Sequence, residues 1–409
     1  MPMPVVHADV LIVGGGPVGL ALALALGAHE LSVVVVEKAD PEAQLAPHYD
    51  GRASAIASAS ARMLRALGLA GLLDGFGCPI RSIEVAEGLH PDVLHFAAHD
   101  DEPLGIMVEN RDLRAALLAA VRSSPAVRLC APATLRRLDR HAARVEAELD
   151  DGTQIAAGVV VAADGRRSAL REAAGIRIAR WRYPTTALVS IVGHARPHGH
   201  VALELFYPSG PLAMLPLNDQ ADGGHRSAVV WSVPQAMAPG LLKLGARGLA
   251  VELRRHLGGR LGRVELAAPV SAWPLGFHHA ERYHDRRLIL VGDAAHGIHP
   301  IAGQGLNLGF RDAAALTQVL VEGVRAGLDP GDPAIARRYE AWRRADNSLT
   351  AFATDALARL FGISLRPIAR VRRLGLGLVE RLPPAKRLFA SIARGTAGDL
   401  PALLKGELV

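Results

Sequence analysis

The stretch ADVLIVGGGPVGLALALALGAHELSVVVVEK, residues 8–38, leaves the chain few folds to choose from. Val10 to Val13 is wholly apolar, as in a parallel strand covered on both faces. Gly14, Gly16 and Gly19 then follow at the G-x-G-x-x-G spacing, with Pro17 at the start of a helix that continues through Leu20 to Leu26. Val33 to Val36 is a second apolar strand, ending in Glu37 and Lys38. The first glycine permits a tight turn, the second lets a pyrophosphate approach the backbone, and the third lets helix pack on strand. The helix start offers free amides and the positive end of its dipole to phosphate. Glu37 lies about 20 residues past the first glycine, where the fingerprint expects an acid for the ribose hydroxyls. This unit predicts dinucleotide binding, but by itself it does not distinguish NAD from FAD.

A second glycine cluster lies near the other end of the chain. RRLILVGD, residues 286–293, reads as another buried strand, ending in Gly292 and Asp293. A carboxylate at the C-terminal end of such a strand sits where open α/β sheets bind ligands. The residues that follow, AAHGIHPIAGQGLNLGFRD, are small and glycine-rich and predict a helix starting near Gln304. A flavin suits both clusters: Asp293 can hold its polyol chain, and its pyrimidine edge can rest on the later helix start. NAD has no need of this distant half-site. A third motif, VVVAADGRRSALR, places Asp164 and Gly165 after the strand Val159 to Ala162.

Together these motifs resemble the single-component FAD-dependent aromatic monooxygenases. HPIAGQGLNLGFRD and FYPSGPLAMLPL, residues 206–217, narrow the resemblance to the ubiquinone-biosynthesis (UbiH-type) hydroxylases, over about Asp9 to Ala345. The resemblance implies roles for individual residues. Gly14, Gly16, Pro17, Gly19, Glu37 and Lys38 belong to the ADP half of the site, and Arg52 in YDGRASAI lies near the flavin. Asn110 or Arg111 in VENRDLRAALL reaches the cofactor. Asp164 and Gly165 serve FAD and pyridine nucleotide, and Gly292 and Asp293 the ribityl chain. Pro300, Gly303, Gln304, Gly305, Leu306 and Asn307 form the loop beside the isoalloxazine, where bulky side chains would block the flavin. Arg52, Pro300, Gly303 and Gln304 are the flavin-adjacent candidates for catalysis, and no residue declares itself as general base.

The implied activity is hydroxylation of the ring of a prenylated phenol with O2, through a flavin hydroperoxide, with NAD(P)H or another reductant as electron donor. Hydroxylation of another phenol, or a non-oxygenating flavoprotein such as a prenyl reductase, is the competing expectation. The expected fold class is mixed α/β, a Rossmann-like FAD-binding domain interleaved with a β-sheet substrate domain, followed by a helical C-terminus. The FAD-binding part is expected at residues 1–75, 104–178 and 275–345, the substrate part at 76–103 and 179–274, and the helical region at 346–409. The segment WRYPTTALVSIVGH alternates and is rich in β-branched residues, which predicts antiparallel strands over the flavin.

Composition excludes other classes. Lys+Arg 46 against Asp+Glu 40 is a mild basic excess, and 4% aromatics offer little surface for base stacking, so no nucleic-acid partner is expected. Cys78 and Cys130 are too few for a disulfide framework or a thiolate metal site. His296, His299, His278, His279 and His284 read as polar loop residues rather than metal ligands, so no metal is expected. The N-terminus lacks a basic region ahead of an apolar one, so a cytoplasmic location is expected, peripheral on the inner membrane if the C-terminal stretch docks there. That stretch mixes apolar residues with Arg366, Arg370, Arg372, Arg373, Arg381, Lys386, Arg387 and Arg394, which suits either an anionic membrane surface or an assembly of quinone enzymes. Oligomeric state is not legible.

Overall fold

A computed structural model describes residues 5–46, 52–91, 93–98, 102–297, 304–362 and 391–409. Its first sheet is built on the N-terminal unit. Strand β1 (Val6–Val13) pairs in parallel with β2 (Val33–Val36) on one side and with strand Gln154–Ala162 on the other. Beyond those lie Val127–Cys130 next to β2 and Leu288–Leu290 next to 154–162, both parallel. The sheet buries both faces, so its strands are continuous runs of Val, Leu and Ile: Val10, Leu11, Ile12, Val160 and Val161 all lie at 0% exposure. Between the first two strands, α1 (Pro17–Gly27) is apolar on every side, and Gly19 to Leu26 are all buried. A helix with no polar face needs cover all round. Here the sheet, helix Asn110–Ser123 and helix Gln304–Arg325 supply it.

The second sheet is antiparallel, apart from the parallel pairing of Ser82–Glu87 with Val201–Tyr207. Its central strands are Ile178–His194, His225–Pro234, Gly210–Leu217 and Val201–Tyr207. One face carries Leu188, Leu203, Leu205, Leu212, Met214, Val229 and Trp231, buried under helices Ala238–Lys243 and Gly245–His256. The opposite face turns toward the first half of the molecule through a three-stranded sheet, Ala53–Ala57, Gly105–Glu109 and Cys78–Ile80. Residues 76–103 therefore divide: Ser82–Glu87 and Val93–Ala97 join the large sheet, whereas Cys78–Ile80 joins the small one.

His278 and His279 are not loop residues. They lie in strand Ser271–Ala280, and His278 is buried. Their neighbours Phe277 and Ala280 pair across to Trp181 and Ile178, so the histidines sit in a ladder that the polar run FHHAERYHD conceals. His284 lies in the short strand His284–Asp285 and reaches Glu340 at 3.2 Å.

At the C-terminus, residues 391–409 pack back on the first half. Leu403 and Leu404 are fully buried, Arg62 donates to the Leu404 carbonyl at 3.1 Å, and Ala59 donates to the Arg394 carbonyl at 3.0 Å. The basic side chains from Arg366 to Arg387 lie outside the described residues. No described helix is long and apolar enough to cross a membrane.

Candidate active site

Registration of the parallel strands brings the sequence motifs together. Val36, Val13, Ala162 and Leu290 lie side by side in one row across four strands. The next residues along each strand are Glu37, Gly14, Ala163–Asp164 and Val291–Gly292–Asp293, so the fingerprint, the DG motif and the GD motif all leave the same edge of the sheet. This edge is the carboxyl end, where doubly wound sheets bind their ligands.

The glycines there fall into two kinds. Gly14 has φ +116°, and a Cβ on it would come within 2.3 Å of the Ala163 carbonyl oxygen. A Cβ on Gly19 would lie 2.0 Å from the Gly14 oxygen. These two are glycine because the protein itself fills the space. At Gly16, the N-cap of α1 with ordinary φ −72°, a Cβ would meet nothing within 4 Å. Gly305, in the first turn of helix Gln304–Arg325, is equally open among the described residues. Both open glycines stand at helix starts, where unbonded amides favour a negative or electron-rich group.

Glu37 is committed to the loop through both oxygens, accepting from Gly15 N at 2.6 Å and Ala39 N at 2.8 Å. Lys38 beside it is exposed. Helix Ala169–Ala173 has Ser168 as its N-cap, and Asp164 also accepts from its first amide, Ala169 N, at 2.9 Å through Oδ2. Its Oδ1 is buried with no hydrogen-bond partner among the described residues. Such an orphaned acceptor costs about 1–3 kcal/mol unless something outside the described residues meets it. The Asp293 side chain is 45% exposed, with Arg166 Nε at 3.6 Å. Arg171, itself buried, ties the two motif loops together by donating to the Ala294 carbonyl at 3.0 Å.

Arg52, Ser54 and Asn110 form a neighbouring group. Asn110 N donates to the Arg52 carbonyl at 2.9 Å and Ser54 Oγ to Asn110 Oδ1 at 2.6 Å. The Arg52 guanidinium lies over the Trp273 ring at 4.9 Å, a cation–π contact that points it across to the second sheet. Arg111 is exposed beside Asp112. Asn307 is buried and uses its amide as a clamp: Oδ1 accepts from Ala57 N at 2.9 Å and Nδ2 donates to the Ala55 carbonyl at 2.8 Å. It thereby fixes strand Ala53–Ala57, which follows directly on Arg52, against the helix that carries Gly305. Leu306 packs partly buried against the core. Pro300, Gly303 and His299 lie outside the described residues, and Gln304 opens the helix through its backbone.

His296 is likewise not a loop residue. It is buried, and its Nε2 meets Asp312 Oδ2 at 2.6 Å. Asp312 is fully buried and also accepts from Gly292 N at 2.9 Å, Arg343 Nε at 2.8 Å and Asn347 Nδ2 at 3.2 Å. Burial pushes its carboxyl up. His296, Arg343 and the hydrogen bonds they donate outweigh that and hold it well below the usual carboxylate range. This cluster pins the GD loop to two helices from below. Sequence reasoning missed it, although the pair Arg311–Asp312 inside the apolar run LGFRDAAAL was a signal that charge is being buried there.

Known proteins share this architecture. Residues 7–347 match the FAD binding domain family. The chain is 49% identical to the ubiquinone hydroxylase UbiL of Rhodospirillum rubrum, covering 98% of this chain and 93% of that one. It is 38% identical to the 3-demethoxyubiquinol 3-hydroxylase of Escherichia coli, over 95% and 98% of the two chains. Among solved structures, PqsL of Pseudomonas aeruginosa, a probable FAD-dependent monooxygenase, superposes with a TM-score of 0.75 at 27% identity, covering 90% of this chain and 99% of that one.

Proposed function

We propose a specific reaction for this chain, which belongs to the FAD binding domain family and is an FAD-dependent hydroxylase: it hydroxylates the aromatic ring of a prenylated phenol in ubiquinone biosynthesis, using O2 and electrons from NAD(P)H or another reductant. The observation that carries this is the convergence of three motif loops on one sheet edge, opposite a mostly apolar sheet face.

Bound FAD supplies the activation of O2, and the chain supplies binding, orientation and exclusion of water. Gly16, Pro17 and the start of α1 would take the pyrophosphate, and Glu37 the adenosine ribose through the lone pairs its loop contacts leave free. The orphaned Oδ1 of Asp164 and the accessible carboxylate of Asp293 fit hydroxyl-bearing parts of the cofactor. The open first turn at Gly305 fits the flat, electron-rich edge of a ring, and its helix dipole favours negative charge there. Val189, Leu215 and Val230, partly exposed on the facing sheet, would form the apolar wall against the substrate and keep water from the reacting atoms.

The division of the chain follows from this scheme. Residues 1–75, 104–178 and 275–345 would hold FAD, and 76–103 and 179–274 would hold substrate, with strand Ser271–Ala280 running across the latter boundary. A cytoplasmic protein acting on a prenylated substrate must meet it at a membrane surface, and the basic C-terminal stretch is the segment suited to that.

The test is steady-state NAD(P)H oxidation by the purified protein, with products resolved by mass spectrometry. A gain of one oxygen on a short-chain prenylated phenol is expected, with stronger turnover on anionic vesicles. A saturated prenyl chain with no added oxygen would make the protein a reductase instead. Asp293→Ala is expected to weaken FAD binding by about 1–3 kcal/mol in a fluorescence titration, the value of a lost charged acceptor. Wild-type affinity in that variant would remove Asp293 from the cofactor site.

A further inference from the structure

Strand Val201–Tyr207 places Glu204 on the sheet face that looks toward the cofactor half. Register fixes this: Glu204 pairs with Ala213, Ala213 with Val230, and Val230 with Val189. One strand further, the same face carries Trp273, over which Arg52 lies. Leu203 and Leu205, on either side of Glu204, point the other way into the helix-covered core. Across this face the side chains of Val189, Leu215, Val230 and Glu204 keep partial exposure, whereas Leu188, Val229 and Met214 on the opposite face are buried. Glu204 is thus a carboxylate on the floor of the space between the two halves. It lies deep enough in protein to be strongly desolvated, yet its side chain is still accessible, as for a group lining a cleft.

No hydrogen bond or ion pair reaches the Glu204 carboxylate among the described residues. Other charged groups on this side have partners of their own. Arg226 is paired with Glu109 at 3.0 Å, and Arg52 lies over Trp273 at 4.9 Å. Glu87 follows Val85 on the neighbouring strand and also has a partner. Glu84 points to the opposite face and pairs with Arg260 at 2.8 Å. Strand Gly210–Leu217, on the other side, carries no ionisable residue.

Building on the hydroxylase function proposed above, we propose that Glu204 is the catalytic base, accepting the hydroxyl proton of the phenolic substrate. The phenol O–H bond breaks and the proton passes to the Glu204 carboxylate. The electron pair stays on the phenol oxygen and enriches the ring carbons ortho and para to it, where the new C–O bond forms. The hydrogen on the attacked carbon leaves as a proton when the ring regains aromaticity, and Glu204 returns its own proton to the product oxygen. One atom of O2 enters the ring and the other leaves as water, reduced by the electron pair of NAD(P)H. Burial pushes the Glu204 carboxyl up to about 7, which makes it a far better proton acceptor than an exposed glutamate and places it near working pH.

Two measurements on Glu204→Gln test this, one of which needs no turnover. The first is the affinity for a short-chain prenylated phenol as pH is varied, read from the perturbed flavin absorbance. In the wild type binding is expected to tighten as pH rises through about 7, where the carboxylate becomes a charged acceptor for the phenol hydroxyl, and in Glu204→Gln this dependence is lost while FAD content and circular dichroism stay unchanged. The second is the pH profile of ring hydroxylation. The wild-type rate is expected to rise through about pH 7. The variant should lose that limb and about 10²-fold or more in rate, the usual contribution of a general base, with Glu204→Asp partly restoring both. Glu87→Gln should keep the limb. A Glu204→Gln enzyme with the wild-type rate profile and the wild-type pH dependence of phenol binding overturns the inference alone, as does loss of the limb in Glu87→Gln instead. A wild type that hydroxylates no phenol overturns the proposed function and takes the inference with it. The Gln variant removes a desolvated, unpartnered carboxylate, so it should fold at least as well as the wild type above pH 7.

Discussion

Asp312→Ala is expected to destabilise the protein by about 3–5 kcal/mol, the usual loss when one partner of a buried ion pair is removed and its counter-charge is stranded. The stranded group is Arg343, whose side chain is fully buried and whose Nε lies 2.8 Å from Asp312. Asp346 and Asn347 still contact Arg343, which keeps the loss within that range rather than beyond it. The variant also orphans Gly292 N and unfastens His296, so the loop bearing Asp293 should loosen along with the fold. Urea unfolding of both proteins without FAD checks this, since a ligand bound with unequal affinity would stabilise the two unequally. The pH dependence has a definite sign. The folded-state pKa of Asp312 is depressed, so its contribution is complete above the unfolded carboxylate value of about 3.9 and is lost only as pH falls through the lower folded value. The titration of Asp312 itself should therefore add no pH dependence to the difference between wild type and variant from about pH 6 to 8. A loss under about 1 kcal/mol would mean that the cluster is ornamental and the loop is held elsewhere.

What the sequence discloses and what it hides differ in physical kind. The strand Val33–Val36 and the turns at Gly14 and Asp164 are legible because local rules act within a few residues of each other: apolar runs, glycine at a tight turn, a helix start. The alternating second sheet is legible for the same reason. Asp312 and Arg343 pair across two helices: Arg343 looks by itself like part of a solvated helix face, and the apolar run around Asp312 signals buried charge without naming its partner. His278 and His296 read as loop residues because a polar run suggests exposure, whereas each is buried with a specific acceptor, the Asp293 carbonyl and the Asp312 carboxylate. Glu204 is hidden differently. In an alternating strand an acid between two leucines looks like an ordinary outward residue, and only the tertiary arrangement shows that its outward face meets the other half of the molecule. Local pattern gives which side of a strand a residue takes; it does not give what lies opposite.

Gly305→Val and Gly19→Val should part company completely, although both replace a motif glycine with the same β-branched residue. At Gly19 even a Cβ would sit 2.0 Å from the Gly14 carbonyl oxygen, and that oxygen is backbone in a turn already held at φ +116°. Neither element can yield: α1 is buried on all sides and the turn is fixed by strand β1, so the variant is expected not to reach the native fold. Gly305 has no described atom within 4 Å of its would-be Cβ, and it lies in the first turn of a long helix where valine costs little. Gly305→Val should therefore keep the circular dichroism and thermal midpoint of the FAD-free wild type. Its FAD affinity should fall by about 10²-fold or more, or ~2.8 kcal/mol, because the added methyls occupy the space where the flavin ring would approach the backbone. Fluorescence titration of FAD with each purified protein reads this directly. Wild-type affinity in Gly305→Val would show that the first turn of this helix is not the flavin cradle, and the openness at Gly305 would then need another occupant. Insolubility of Gly305→Val under conditions where the wild type is soluble would contradict the open space that the geometry gives it. The two glycines thus separate a position that the fold itself fills from one whose space would be left to the cofactor.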